Sequence, residues 1–463
     1  MSQFLETISP IDGSTYVKRP YASAEQTAEA QVLSRNAQSQ WQTVPIEERV
    51  SMGHKFIAYM QENKAAIGEE ICWQMGRPIR YAAGEVDGLI ERAYYMIDTA
   101  AESLATIHLP QKSGFDRYIK REPLGVVFIV APWNYPYLTA INTIIPAILA
   151  GNSVILKPSS QTPLCGERFA AAFASAGLPD YVFQCLHLDY AATEKLIRSG
   201  DINQVCFTGS VPGGAMVERA AAGRFMGIGL ELGGKDPAYV RADADLDHAV
   251  DTIIDGAFFN SGQSCCGIER IYVHADLFDQ FVEKSVALIE QYKLGRPDDP
   301  TTTLGPMVRT RAADAVRKQV QEALQLGAQT HIDTQLFELD KPGSPYLAPQ
   351  LLTNVDHSMR IMTEETFGPA VGVMKVSSDA QAIELMNDSE FGLTASVFTQ
   401  DTDYGQQLGE KINTGTFFVN RCDYLDPALS WVGIKNSGRG CTLSHIGYEN
   451  LTRPKSFHIK SSI

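Results

Sequence analysis

Apolar positions recur every three or four residues over Ala24–Trp41, Glu47–Asn63 and Gly84–Ala105. That is the period of an amphipathic helix, so roughly the first hundred residues are expected to be mostly helical. From Gly125 the pattern changes to short apolar runs alternating with helical stretches. Gly125–Ala131 (GVVFIVA) reads as a buried strand stopped by Pro132-Trp133-Asn134, and a helix follows to Ala150 with Gly151 as its C-terminal cap. Ser153–Lys157 is the next strand, ended by Pro158. Thr162–Ala176 reads as helix, Tyr181–Leu186 as strand, Ala191–Ser199 as helix and Gln204–Thr208 as strand. Alternation of this kind predicts a parallel sheet with right-handed crossovers. A second block begins near Gly233, with strands at Pro237–Val240 and Arg270–His274 and helices at Leu246–Phe259 and Asp276–Tyr292. The last residues, Pro454–Ile463, read as an exposed strand in search of a partner.

Composition narrows the class. The 463 residues are 44% hydrophobic and 20% charged, the balance of a folded chain, and the formal net charge is −15. A surface that acidic repels phosphate backbones, so no nucleic-acid partner is expected. No apolar run approaches the roughly 18–20 residues of a membrane span, so no membrane partner is expected either. The N-terminus lacks a basic start and an apolar core, which predicts a cytoplasmic protein without a signal peptide. Eight cysteines are too sparse for a disulfide framework, and neither Cys-x-x-Cys nor His-Glu-x-x-His occurs, so no metal site is expected.

Ligands of doubly wound sheets bind at the carboxyl ends of the strands, which here carry Asn134, Lys157 and Gly209-Ser210. The Gly-x-Gly-x-x-Gly fingerprint is missing, since Gly227-Ile-Gly229-Leu-Glu-Leu-Gly233 is one residue too long at its end. Gly209–Gly214 follows a strand and opens a helix, so its backbone amides suit a pyrophosphate, although a ligand-free turn reads the same way. Cys265 follows a helix and sits beside Gly262, as a nucleophile or as a structural cysteine. Glu231, between two leucines, is placed for a general base with a burial-raised pKa, or for a salt bridge to Lys235. Asn134 is suited to an oxyanion, or is only a turn residue.

Taken in order, Pro132–Asn134, Lys157–Ser159, Phe207–Ser210, Glu231–Lys235, Gly262–Cys265, Glu364–Pro369 and Gly433–Gly440 resemble the NAD(P)-dependent aldehyde dehydrogenase superfamily across essentially the whole chain. Cys265 also stands 34 residues after Glu231, as that resemblance requires. The resemblance implies an α/β fold with a Rossmann-type cofactor domain (1–103 and 124–233), an α/β catalytic domain (234–445) and a small β oligomerisation element (104–123 and 446–463). It implies Cys265 as nucleophile, Glu231 as base for the hydrolytic water and Asn134 as oxyanion donor. Trp133, Lys157, Ser160, Thr208, Gly209, Ser210, Glu365 and Phe367 would hold NADP or NAD. Tyr135, Thr139, Asn142, Arg421, Tyr424 and Trp431 are candidates for lining the aldehyde pocket. Asn142 stands where betaine-aldehyde enzymes carry an aromatic, which argues against a quaternary ammonium substrate. Arg421 suits a substrate carboxylate, as in semialdehyde enzymes, or a structural salt bridge. The implied partners are a small-molecule aldehyde and further copies of the chain in a homodimer or homotetramer. A CoA-acylating enzyme, which needs no Glu231, and a non-catalytic structural relative are the competing readings.

Overall fold

Val126–Val130 is buried at every position, the signature of a strand covered on both faces. In the computed structural model, which describes residues 3–461, it lies inside a six-stranded sheet. Ser153–Lys157 and then Phe183–Cys185 flank it on one side. Gln204–Thr208, Gly227–Glu231 and Gly438–Arg439 flank it on the other. All pairs are parallel except the last. The chain therefore reverses its direction of sheet growth between Val126–Val130 and Gln204–Thr208, and the crevice at that switch point is where doubly wound sheets take their ligands.

The second sheet has seven strands in the order Gln329–Thr330, Gln350–Thr353, Ala370–Val376, Ile268–His274, Asp236–Val240, Thr394–Phe398 and Thr416–Val419. It is parallel apart from the first pair. Two apolar clusters cover its faces, one including Ile253, Phe281 and Val371, the other Tyr272, Leu352 and Met362. A third small sheet is antiparallel, with Phe115–Pro123 between Ile107–His108 and Thr452–Lys460. No helix among the described residues is long and apolar enough to cross a membrane.

Several expectations are corrected. The first hundred residues are mostly helical as expected, but an antiparallel hairpin, Phe4–Ile8 with Thr15–Pro20, precedes the helices. A helix over Lys64–Met75 also falls in a stretch with no expected element. The Tyr181–Leu186 strand shrinks to Phe183–Cys185, with Tyr181 at φ +66° still in the turn. The last strand starts at Thr452 and pairs with this chain's own Phe115–Pro123, while residues 462 and 463 of the expected strand lie outside the described residues.

Candidate active site

The Glu231 strand reaches the Cys265 loop because two glycines follow it. A Cβ on Gly234 would stand 2.5 Å from the Cys265 carbonyl oxygen, and one on Gly233 would stand 2.0 Å from a Glu365 carboxylate oxygen. Any side chain at either position would push the three segments apart. Behind them, the buried pair Lys235–Glu269 (2.7 Å) knits the same region together. Glu269 also accepts from the backbone amides of Thr366 and Phe367, both at 2.8 Å. The alternative salt bridge from Glu231 to Lys235 is therefore not formed.

Glu231 instead accepts from Thr442 Oγ1 at 2.6 Å and Thr208 Oγ1 at 3.1 Å. Desolvation raises its pKa against those two hydrogen bonds, so the carboxylate is more basic than an exposed glutamate.

Cys265 follows a tight turn at Phe259–Gly262, in which Asn260 (φ +54°) and Ser261 (φ +57°) are left-handed. Asn134 Nδ2 donates to the carbonyl of Gln263 at 3.1 Å, so the asparagine is docked on the cysteine's own loop. Its backbone carbonyl accepts from Arg77 Nη2, and the Asn260 side chain lies 3.4 Å from the same oxygen. Arg77 in turn pairs with Glu85, whose other oxygen accepts from the amides of Tyr137 (2.7 Å) and Leu138 (3.2 Å) at the start of the Pro136–Leu149 helix. Arg77 and Glu85 are both buried, and the guanidinium packs 4.3 Å from the Tyr135 ring centroid. Sequence reading missed Arg77, Glu85, Asn260, Glu269 and Thr442. Only the eight-residue spacing of Arg77 and Glu85 hints at a pair, and nothing in it marks a site.

The two adjacent cysteines differ. Cys265 is partly exposed, whereas Cys266 is buried and its thiol donates to Asp423 Oδ1 at 3.0 Å. A hydrogen bond with Cys265, burial and the Asp423 charge hold the Cys266 thiol well above the ordinary range. Burial in turn pushes Asp423 up to about 6. Cys266 is thus kept as a proton donor, and a thiol nucleophile must be sought at Cys265.

At the cofactor end, the Lys157 side chain closes its strand without a hydrogen bond or ion pair among the described residues, and burial lowers its pKa to about 8. Ser210 caps the Val211–Ala221 helix through its hydroxyl. Gly209 donates to the Glu231 carbonyl at 3.0 Å. Trp133 and Phe367 meet edge to face at 5.7 Å. Glu365 accepts from the Gly234 amide, and burial raises its carboxyl to about 8, while Glu364 pairs with Arg360 outside. A lone half-buried cation, a half-buried carboxyl with one donor and a helix N-terminus fit a dinucleotide with its phosphates and ribose hydroxyls. Ser160 is exposed and is not the cap of the next helix, which begins at Pro163 after Thr162. Its carbonyl accepts from Thr7 Oγ1 at 2.8 Å.

The expected pocket residues scatter. Tyr135 is half-buried and Trp431 buried, the latter with its backbone paired to Thr442. Thr139 donates to the Tyr135 carbonyl within its own helix. Asn142 is buried and accepts from Arg92. Arg421 is exposed, 3.6 Å from the Tyr424 ring centroid, and forms no ion pair among the described residues. The structural salt bridge considered for Arg421 is therefore not formed.

The family model described as "Aldehyde dehydrogenase family" matches residues 1–457. The chain belongs to the aldehyde dehydrogenase family. It is 32% identical over 429 residues to 3,6-anhydro-alpha-L-galactose dehydrogenase of Vibrio sp. (strain EJY3), covering 92% of this chain and 89% of that protein. It is 31% identical over 461 residues to succinate-semialdehyde dehydrogenase [NADP(+)] 1 of Mycobacterium bovis (strain BCG / Pasteur 1173P2), covering 98% and 99%. The solved structure of PnpE in complex with nicotinamide adenine dinucleotide superposes with a TM-score of 0.94 at 28% identity, over 99% of this chain and 95% of that one. Membership makes the chain an NAD(P)-dependent oxidoreductase of aldehydes with the fold that its motifs implied.

Proposed function

We propose that the chain converts an aldehyde to its carboxylic acid by covalent catalysis at Cys265, with a semialdehyde among its substrates. The observation that carries this reading is the convergence on one loop. Gly234 packs on the Cys265 carbonyl three residues beyond the desolvated Glu231, and the Asn134 amide is docked at Gln263.

The Cys265 thiolate attacks the carbonyl carbon, a C–S bond forms, and the π electrons move to oxygen. The Asn134 amide and the Cys265 backbone N–H receive that oxyanion. Re-formation of the C=O bond expels hydride, which the aldehyde carbon gives up only once it is tetrahedral and electron-rich. The bound nicotinamide supplies the acceptor for that hydride. Glu231 then takes a proton from water, the hydroxide adds to the thioester, and the C–S bond breaks to return the thiolate and release the acid. A carboxylate placed for this step favours hydrolysis over CoA acylation. Trp133, Thr208, Gly209, Ser210, Glu365 and Phe367 are the proposed cofactor contacts, with Tyr135 and Trp431 lining the substrate side. A spectrophotometric screen of aldehydes with both cofactors tests the reading. Acid formation matched one for one by cofactor reduction supports it, and no reduction with any aldehyde overturns it.

Lys157 and Ser160 support use of NADP at least as well as NAD. Lys157 lies in a low-dielectric site without a counter-charge, so a 2′-phosphate there restores its protonation, and Ser160 adds no negative charge nearby. Ser160→Glu should shift the kcat/KM ratio toward NAD by about tenfold through like-charge repulsion. An unchanged ratio, or a wild type that rejects NADP, removes Ser160 as the selector.

We assign residues 1–103 with 124–233 to cofactor binding, 234–445 to catalysis, and 104–123 with 446–463 to assembly into a dimer or tetramer in the cytoplasm. Supporting the last assignment, Thr452–Lys460 lies at the edge of its three-stranded sheet, and Ile107 and Ile459 are exposed at 43% and 44%. Light scattering at micromolar concentration should return at least twice the chain mass of 50.8 kDa, and a monomeric mass refutes the assembly.

A further inference from the structure

Arg92 lies on the Gly84–Ser103 helix, outside every motif that marks the family. The residue is only 8% exposed. Its Nη1 donates to the Leu138 carbonyl at 2.8 Å and to Asn142 Oδ1 at 3.1 Å. Among the described residues nothing accepts from Nε or Nη2, and no carboxylate stands within ion-pair distance. Those two nitrogens are nonetheless not sealed off, unlike Nε of Arg49 and Arg117, which are fully enclosed without partners. Arginine is rarely buried without a partner, because an unpaired charge in low dielectric is costly. Burial works against the Arg92 charge. Its partner Asn142 directly precedes Thr143, which lines one cavity with Thr208, Glu231 and Thr442.

We propose that Arg92 is the anion-recognising residue of the aldehyde pocket, and that the favoured substrate is an aldehyde bearing a carboxylate at its far end. The inference rests on the aldehyde-oxidising reading above and deepens it. Leu138 and Asn142 hold Nη1, which fixes the plane of the guanidinium. The remaining Nε–Nη2 edge is the one that takes a planar carboxylate through two parallel hydrogen bonds. Desolvation makes such a pair discriminating, because a neutral aldehyde leaves the cation uncompensated. Arg421 is not equivalent, since it lies in solvent over Tyr424, where water and salt screen it. Tyr424 donates to Glu91, the neighbour of Arg92, at 3.0 Å, so the 420–431 loop rests on the same helix. Asn142 also gains a positive role here: it orients the cation.

Steady-state kinetics with 4-oxobutanoate and butanal, which differ in the terminal carboxylate, test the proposal. Wild type should prefer 4-oxobutanoate. Arg92→Gln should raise KM for 4-oxobutanoate by about 100-fold with a smaller change in kcat, so that the preference collapses. Arg92→Lys should recover part of it by restoring the charge without the fork. Asn142→Asp, which gives the guanidinium a counter-charge of its own, should also erase the preference and carries the test if Arg92→Gln does not fold. Equal effects of these variants on both aldehydes, or a wild type indifferent to the carboxylate, overturn the role of Arg92 and leave aldehyde oxidation standing. Failure of wild type with every aldehyde overturns the underlying reading instead.

Discussion

Replacing Cys265 by alanine is expected to abolish aldehyde oxidation, lowering kcat on the order of 10⁴-fold or more, with cofactor binding and thermal stability little changed. Cys265 is partly exposed, so removal of its thiol leaves no large internal cavity. Its neighbour cannot take over, because the Cys266 thiol is buried and committed to Asp423. Cys266→Ala should in contrast keep turnover within about tenfold of wild type, the cost of one buried hydrogen bond, since Ser264 still donates to Asp423 at 3.0 Å. Turnover numbers for the two variants, read beside cofactor titration, decide the matter. Survival of Cys265→Ala, or equal loss in both, would place the chemistry on another group.

Glu231→Gln is expected to separate the two half-reactions. The amide keeps the size of the side chain but cannot take a proton from water. One equivalent of reduced cofactor per site should form in a burst, steady turnover should fall by about 10²–10⁴-fold, and mass spectrometry should find the acyl group on the protein. The wild-type pH profile carries the same information. Burial raises the Glu231 pKa, and the base works only when deprotonated, so kcat should fall on the acid side with a midpoint above the ordinary 4.5. Turnover is then lost as pH falls through that raised value, and a limb at or below 4.5 contradicts the assignment. Lack of any burst in Glu231→Gln means that the carboxylate is also needed before hydride transfer.

The elements that sequence located best are those whose boundaries are written locally. Ser153–Lys157 and Gln204–Thr208 have the expected limits because an apolar run meets Pro158 in one case and Gly209-Ser210 in the other. Ala24–Trp41 does as well, with Ser23 and Gln26 forming a reciprocal cap. The Phe4–Ile8 hairpin went unread because two short alternating strands carry little periodic signal beside the helices that follow. Motif residues such as Asn134, Lys157, Glu231 and Cys265 were legible from their order along the chain. Arg77, Glu85 and Arg92 were not. Glu85 and Arg92 lie on a helix, where a charged residue normally signals solvent, and Arg77 lies in a loop before it; only the packing of other elements turns these three inward. Arg421, offered by the sequence as a ligand for an anion or a structural salt bridge, is exposed and packs on the Tyr424 ring.

The Arg77–Glu85 pair has a consequence for dissecting this chain. It supports the Asn134 carbonyl and the start of the following helix from a segment that precedes the sheet by some 40 residues of chain. A chimera that transplants the nucleotide-binding sheet from Val126 onward would carry Asn134 but leave its underpinning behind, and a cut between the two would strand either partner as a lone buried ion at about 3–5 kcal/mol. The smallest portable unit is therefore discontinuous with the fold's visible modules: it must begin before Arg77, so the helical preface travels with the catalytic amide as one heritable block.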